Sequence, residues 1–454
     1  MKPFNPGGHA AYQERVLTQL RKYYPDAVSS LPASTWDILE KFWALDLSEL
    51  DSLMQDRYSV FGPAPRLPSD MLRSLLLSVE FKVSSYTKWA ADLKENHLHA
   101  ILSGFFIGDT PGTGTFYDFL GRLWLSDKDN FSDPAHPPKE KPKKPDKKGG
   151  KAPSVEKVTV KDLFQQFEAA PPTDMEPCRL LYDIFKVLFL EHSVQDGLID
   201  LLSLSLAGDG TPVYTAAQER KKRSCDCLEK GIHDCKCNRI YSQPDCDIGW
   251  DSHRDRYYFG YDLYMLTAAD SKNDLPVFPF LSPASRHDSI GFLYNWFSMK
   301  PFLPEAVVTK LLLDSAHDAM PYYEYCRNHG IVPFIDLNAD RGRPPVYKDD
   351  FTINHDGVPV CREGHVMRRD GTEPAKGRTK FKCPKISFAV GSVTCTCENP
   401  CSTAKYGRTI HLVLKDNPRL FNDPPRSSKE WKREYNARTS AERCNKREKV
   451  DYKL

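Results

Sequence analysis

The chain has 454 residues, a formal net charge of +2, 40% hydrophobic and 27% charged residues. That length exceeds one simple core and predicts two to four domains of a soluble globular protein, while the balanced bulk charge carries no statement about nucleic acid. With no run of 18 or more apolar residues and no apolar core in the opening MKPFNPGGHAAYQERVL, neither a helical membrane span nor a secretory leader is predicted.

Residues 1–126 read as a mostly helical domain. AAYQERVLTQLRKYY, PSDMLRSLLLSVEFKV and SYTKWAADLKENHLHAILSG repeat apolar residues at three- and four-residue intervals, and TFYDFLGRLW reads as a short amphipathic helix. Residues 127–157 are a Lys/Pro-rich linker by composition, with seven lysines between Lys139 and Lys151. A second lysine and arginine cluster, ten residues from Arg426 to Lys453, closes the chain. Both clusters suit phosphate backbones or a solvated surface.

From residue 158 to 340 the pattern changes to alternating strands and helices, which predicts an α/β domain with a mixed sheet. VKDLFQQFEAA and CRLLYDIFKVLFLEHSVQDGLI read as helices, and LLSLSLAGDG as a strand ending at Asp209. RYYFGYDLYMLTAAD and PVFPFLSPAS read as strands, HDSIGFLYNWFSM as a helix, and TKLLLDSAHDA as a strand ending at Asp314. AMPYYEYCRNHG reads as a helix capped by Gly330, followed by the strand IVPFI. Residues 341–425 are rich in Gly, Pro, Cys and basic residues, and form an inserted β-rich subdomain in this reading. Residues 426–454 return to helix and carry Glu442. No P-loop and no GxGxxG motif is present, so use of ATP or a dinucleotide has no support.

An aspartate directly after a strand's apolar run points from the sheet edge toward a ligand site. It is equally a turn former or helix cap, and neither Asp209 nor Asp314 is informative alone. The closing segment YNARTSAERCNKREK spaces Tyr435, Arg438, Glu442 and Lys449 as Tyr-(2)-Arg-(3)-Glu-(6)-Lys. On one uninterrupted helix these residues share a face. The rival to Asp314 is Asp318, four residues on in DSAHD. His287 and Asp288 read as support near a site or as a helix cap. Trp250 and the run Tyr257, Tyr258 and Phe259 read as core packing or as platforms for bases.

This combination resembles the DDE-type cut-and-paste DNA transposases of the IS4-type superfamily. The resemblance rests on AGDGTPV around Asp209 and on LLLDSAHDA followed by Tyr322, Tyr323, Tyr325, Gly330, Pro333 and Asn338. The Tyr-Arg-Glu-Lys spacing is its third element. It implies a ribonuclease H-like catalytic domain with a β-rich insertion, preceded by a helical DNA-binding and dimerisation domain. It implies that Asp209, Asp314 and Glu442 are catalytic and hold two Mg²⁺ or Mn²⁺ ions, and that Tyr435, Arg438 and Lys449 contact DNA. The implied partners are double-stranded DNA at terminal inverted repeats, target DNA, and a second copy of the chain; the implied location is the nucleoid. Such cations offset the repulsion of gathered carboxylates and prefer oxygen ligands. Relatives usually continue further past the glutamate, so the resemblance also raises a shortened, inactive copy. Two rival expectations are a ribonuclease H-like nuclease that cuts without joining, and a non-catalytic DNA-binding protein.

The 13 cysteines cluster in ways that point to reduced, metal-binding thiols. Cys225, Cys227, Cys235 and Cys237 form two C-x-C units seven residues apart, with His233 between them. This is a candidate structural Zn²⁺ site. Cys383, Cys395, Cys397 and Cys401, with Cys361 upstream, are a candidate second site or part of a joint one.

Overall fold

The computed structural model describes residues 7–26, 31–124, 158–173, 176–215, 222–223, 225–235, 237, 239–240, 246–338, 346–348, 351–354, 356–389 and 392–452. The expected linker at 127–157 lies outside the described residues. Contacts divide the chain into two compact units: residues 1–130, 173–198 and 446–454, and residues 131–172 and 199–445.

The first unit is helical. Its helices are α1 (Gly8–Tyr23), α2 (Ala33–Ala44), α3 (Glu49–Leu53), α4 (Pro68–Glu80), α5 (Tyr86–Glu95), α6 (His97–Ser103) and α7 (Thr113–Arg122). Their apolar stripes meet in one core around Val16, Leu47, Leu50, Leu77, Trp89, Ile101 and Phe116. Leu180, Ile184 and Leu188 complete that core. They come from a later helical stretch: α9 (Arg179–Phe185), a π-helical turn (Lys186–Leu190) and α10 (Glu191–Gln195). Helices that lie, in sequence, beside the α/β region therefore fold with the N-terminal bundle, because their apolar face fits there. Among the described residues, no helix is long and apolar enough to cross a membrane.

The second unit is built on a mixed sheet. Strands β1 (Leu204–Tyr214), β4 (Asp247–Asp251), β5 (Arg256–Ala268), β6 (Pro276–Pro283), β7 (Val308–Leu313) and β8 (Val332–Ile335) assemble in the order β4-β5-β1-β7-β8, with β6 also on β5. The short strands β2 (Lys222–Arg223) and β3 (Arg239–Ile240) pair with each other apart from it. Strand β1 is antiparallel to β5 and parallel to β7, and β7 is parallel to β8. The parallel steps are bridged by α11 (Asp288–Phe302) and α12 (Met320–Asn328), the helical crossovers that parallel neighbours require.

Helix α11 is apolar on nearly every side and so must be enclosed. One face meets the sheet, where buried Asn295 donates to the carbonyls of Tyr264 (2.8 Å) and Phe278 (3.1 Å). The other meets α8 (Val160–Ala169) through Phe164 against Phe297 and Phe167 against Tyr294.

Between β8 and the closing helices lies a run of further short strands. It contains β9 (Val346–Lys348), β10 (Phe351–Ile353) and β11 (Pro359–Cys361) in one sheet, and β12 (Arg368–Glu373), β13 (Arg378–Lys382) and β16 (Thr409–Val413) in another. Strands β14 (Ile386–Ala389) and β15 (Ser392–Cys395) form a separate hairpin. A small core of its own holds it, centred on Phe351, Met367, Phe381, Leu412 and Phe421.

Gly208 is the tightest point of the central sheet near the acidic residues. A Cβ there would lie 2.7 Å from the Tyr264 hydroxyl and 2.9 Å from Leu313 Cδ2. Tyr264 is fully buried and its hydroxyl pairs with His317 Nε2 at 2.9 Å. Gly208→Ala is therefore expected to cost about 1–3 kcal/mol of unfolding free energy through overpacking, measured by urea denaturation.

Candidate active site

The site forms where β1 outlasts its parallel neighbour. The β1–β7 register runs from Leu204 opposite Val308, through a shift before Ser205, to Ala207 opposite Leu312. Strand β7 then ends at Leu313, while β1 continues to Tyr214, held on its other side by β5. Asp209, opposite Met265 of β5, is thus mid-strand, correcting the expectation that the strand ends there. Counting forward in the parallel register brings Asp314 beside it. This is the carboxyl end of β7, the position at which open α/β sheets commonly bind ligands.

The closing segment lies over the same sheet as two helices, α13 (Lys429–Asn436) and α14 (Thr439–Lys446). One uninterrupted helix through Lys449 was expected. Instead, Ala437 and Arg438 form a turn in which successive amides bond three residues back: Arg438 to Tyr435 (2.9 Å) and Ser440 to Ala437 (3.0 Å). Lys449 falls in a further π-helical turn, Arg447–Asp451, which belongs to the first unit.

Small residues let α14 approach closely. Ala441 is buried against Ala207, Leu312, Phe334 and Trp431, and the Ser440 hydroxyl meets Thr267 Oγ1 at 3.2 Å. Ion pairs pin both helices: Lys310 to Glu434 at 2.6 Å, and Arg443 to both oxygens of Asp274 at 2.6 and 2.7 Å.

Docked this way, the helices bring Glu442, Arg438 and Asn445 to the aspartates. Asn445 Nδ2 donates to Asp209 Oδ2 at 3.2 Å. Arg438 Nη2 donates to Glu442 Oε1 at 2.5 Å, and its guanidinium lies 5.7 Å from the centre of the Tyr435 ring. Tyr435 itself stacks on Trp431 at 4.5 Å. Asp314 Oδ1 accepts from the Ala316 amide (3.1 Å) and pairs with His317 Nδ1 (2.6 Å), and His317 Nε2 continues to Tyr264. On the opposite face of β1, Asp288 and Asp262 both approach Gly210, where a Cβ would lie 2.9 Å from an oxygen of each. Asp288 thus adds a fourth acidic group. His287 is the cap of α11, its Nδ1 accepting from the Ser289 amide.

Electrostatics record this crowding. Burial, then the negative charge of Asp314, pushes Asp209 up to about 7; Arg438 opposes this, while Asp288 and Glu442 add to it. Burial and Asp314 likewise raise Asp288. Asp314 goes the other way: burial would raise it, but the hydrogen bond and charge of His317, the Ala316 amide and Arg438 hold it below the ordinary range. The two aspartates therefore differ, Asp314 ionised and Asp209 close to neutral pH. Carboxylate oxygens are the donors that hard divalent cations prefer. As a set, the oxygens of Asp209, Asp314 and Glu442 are not within 4.8 Å of one another, since among the described residues only one group of four thiols meets that distance. Arg438 meanwhile occupies Glu442.

Asp318 has different work. Fully buried, it takes both ends of Arg419 (2.7 and 2.5 Å), the Tyr323 hydroxyl (2.9 Å) and the Asn338 amide (2.8 Å). Its bonds tie α12 to the insertion side of β8, and none leads to Asp209. Trp250 and Tyr257 face each other across the β4–β5 hairpin and are exposed, with ring centres 4.7 Å apart; Tyr258 is buried and Phe259 half-buried.

The four thiols are Cys225, Cys227, Cys235 and Cys237. None is in a disulfide, and Sγ pairs stand at 3.5 Å (Cys225–Cys235) and 3.7 Å (Cys227–Cys237). Four thiolates at about 2.3 Å from a tetrahedral ion stand about 3.8 Å apart, so the cluster is capable of holding a metal ion. Hydrogen bonds from the Cys227 amide and the neighbouring thiols draw Cys225 down to about 7, while the same cluster pushes Cys227 up to about 12 and raises Cys237, so one thiolate is favoured among the four. In the second cysteine group, Cys383 is buried and Cys397 and Cys401 are half-buried. Cys395 closes β15, with its side chain outside the described residues. The sequence carried no signal for Asn445, for the Asp314–His317–Tyr264 chain or for the Arg419–Asp318 pair. Each depends on partners 53 to 236 residues away.

Two outcomes are expected. Because Asp209 has a folded-state value near 7 against an ordinary 3.8, its contribution to stability is fully present below about pH 4 and is lost as pH rises toward 7. Asp209→Asn should therefore melt higher than the wild type above pH 7. Thermal melts across pH measure it. Asp318→Ala should instead cost about 3 kcal/mol or more in urea unfolding, by leaving the Arg419 charge without its partner, and Asp314→Asn should cost much less.

Comparison with protein-family models, with curated proteins and with solved structures finds nothing that matches this chain.

Proposed function

We propose that this chain is a DDE-type DNA transposase, which hydrolyses phosphodiesters and transfers strands at the ends of an insertion sequence. The observation that carries the reading is convergence on Asp209: the β1–β7 register sets Asp314 beside it, and α14, which carries Glu442, reaches it through the Asn445–Asp209 hydrogen bond. The three acids lie up to 233 positions apart in sequence, yet the charges of Asp314 and Glu442 both raise the Asp209 carboxyl. The sheet supports it too, with an antiparallel β6-β5-β1 meander followed by parallel β7 and β8 joined by helices. That order suits a ribonuclease H-like domain carrying its β-rich insertion before the glutamate helix.

In this reading Asp209 and Asp314 would hold two Mg²⁺ or Mn²⁺ ions with Glu442, and Arg438, now paired with Glu442, would bind a phosphate of the strand. Such a pair of ions activates a water or a 3′-hydroxyl and steadies the leaving oxygen on phosphorus. Asn445 orients Asp209, and His317 fixes the Asp314 carboxylate. Tyr435 and Arg438 contact DNA flanking the scissile bond, and Lys449 is a further DNA contact. Zinc on Cys225, Cys227, Cys235 and Cys237 pins the irregular loop between β1 and β4. The partners are terminal inverted repeats, target DNA and a second copy of the chain, brought together at the nucleoid.

The test is Mg²⁺-dependent cleavage and joining on duplexes carrying the inverted repeats that flank the coding region. Asp209→Asn, Asp314→Asn and Glu442→Gln should each lower both products by ~100-fold or more, with end binding in gel shifts nearly unchanged. Cleavage without a joined product would leave a nuclease. Binding with no metal-dependent cleavage would leave a DNA-binding protein. Loss of folding in all three variants would make the acids structural.

A further inference from the structure

We propose that Cys361, Cys383, Cys397 and Cys401 form a second tetrathiolate zinc site, which staples the inserted β-subdomain. The assignment replaces Cys395 of the sequence grouping with Cys361, and it is independent of the chemistry proposed above.

Three backbone features converge on these thiols. Strand β11 ends at Cys361 in a tight turn: the Cys361 amide donates to the His365 carbonyl (3.0 Å) and the Gly364 amide to the Cys361 carbonyl (2.9 Å). Gly364 adopts φ +75°, a left-handed conformation suited to glycine. The chain then passes between β11 and β13, with Met367 donating to the Pro359 carbonyl (2.9 Å) and Arg368 paired with Lys382, so Cys361 and Cys383 flank the same short segment.

Next, the loop from Cys401 returns onto Cys383, whose amide donates to the Arg408 carbonyl at 2.9 Å. Gly407 packs so closely that an added Cβ would lie 2.4 Å from Ile386 Cγ1 and 3.4 Å from Cys383 Cβ. Finally, the β14–β15 hairpin extends by one step: the Thr396 amide and hydroxyl both donate to the Lys385 carbonyl at 3.1 Å. Cys397 is the next residue after that contact, and Cys383 lies two residues before Lys385.

The surroundings ask for a staple. Residues 396–407 (TCENPCSTAKYG) contain no Val, Leu, Ile, Met or Phe, and Tyr406 is exposed. That loop has no apolar anchor of its own. Cys361 and Cys383 are nonetheless only 4% and 2% exposed. Burial, then the proximity of Cys361 and Cys383, raises the Cys401 thiol, which puts these three in one neighbourhood. None of the four is in a disulfide. Their sulfurs are set wider than those of the first cluster, and a bound ion would draw them in. Four soft sulfur ligands select zinc over hard cations.

The full-length protein, expressed with zinc and desalted, should carry about two zinc ions per chain by elemental analysis. Cys401→Ala, at a half-buried position chosen to spare the fold, should carry about one, as should Cys225→Ala through loss of the other site. The double variant should carry none, and Cys395→Ala should keep the wild-type content. As a second readout, Co²⁺ substituted for zinc should give thiolate-to-metal charge-transfer absorption that falls by about half in Cys401→Ala. Wild-type zinc content in Cys401→Ala, or loss of an ion in Cys395→Ala, would overturn the assignment. So would a wild type whose only zinc is lost in Cys225→Ala.

Discussion

The unequal length of two parallel strands is the constraint on which the acidic site depends. Strand β1 runs on past the end of β7, because β5 supplies its hydrogen bonds on one side. The side that β7 vacates is left open just where Asp209 and Asp314 stand. Two carboxylates placed so in partly dry surroundings repel each other, and the protein answers with an asymmetry. His317 and the Ala316 amide stabilise the charge of Asp314, whereas Asp209 has a single Asn445 donor and the more distant Arg438. The cost of the cluster therefore falls on Asp209, the residue most ready to exchange a proton for a cation.

The closing helices carry the second half of the arrangement. Their small residues, Ala437, Ser440 and Ala441, permit contact with the sheet that larger side chains would prevent. Their charged residues are divided between anchoring and the site. Glu434 and Arg443 hold the helices to Lys310 and Asp274, while Arg438 and Glu442 face each other near the aspartates. The turn at Ala437–Arg438 places Arg438 between Tyr435 and Glu442, so a guanidinium occupies the glutamate. In the proposed chemistry that pairing is exchanged for phosphate and cation.

Much of the second unit was legible in advance, for a simple reason. Apolar runs such as KLLL and RYYFGYDLYML state that a strand is buried on both faces, and HDSIGFLYNWFSM states that a helix is enclosed. The insertion showed as a change of composition, and the first cysteine cluster as two C-x-C units. Less legible were features that depend on competition between packing surfaces. The segment CRLLYDIFKVLFL announces a helix but not a partner, and its Leu180, Ile184 and Leu188 join the N-terminal core. The helical spacing of Tyr435 to Lys449 gave no sign of the turn that interrupts it.

The pair Asp314 and Asp318 separates the two kinds of information most clearly. By itself the sequence determined that two acids follow one buried strand, that a glutamate helix closes the chain, and that thiols come in chelating groups. These are properties of local pattern, set by periodicity and spacing. Only the tertiary structure decided that Asp318 is consumed by Arg419, Tyr323 and the Asn338 amide while Asp314 turns to Asp209. The physical reason is that a carboxylate's role depends on which donors and charges reach it across space, and chain order does not encode those distances.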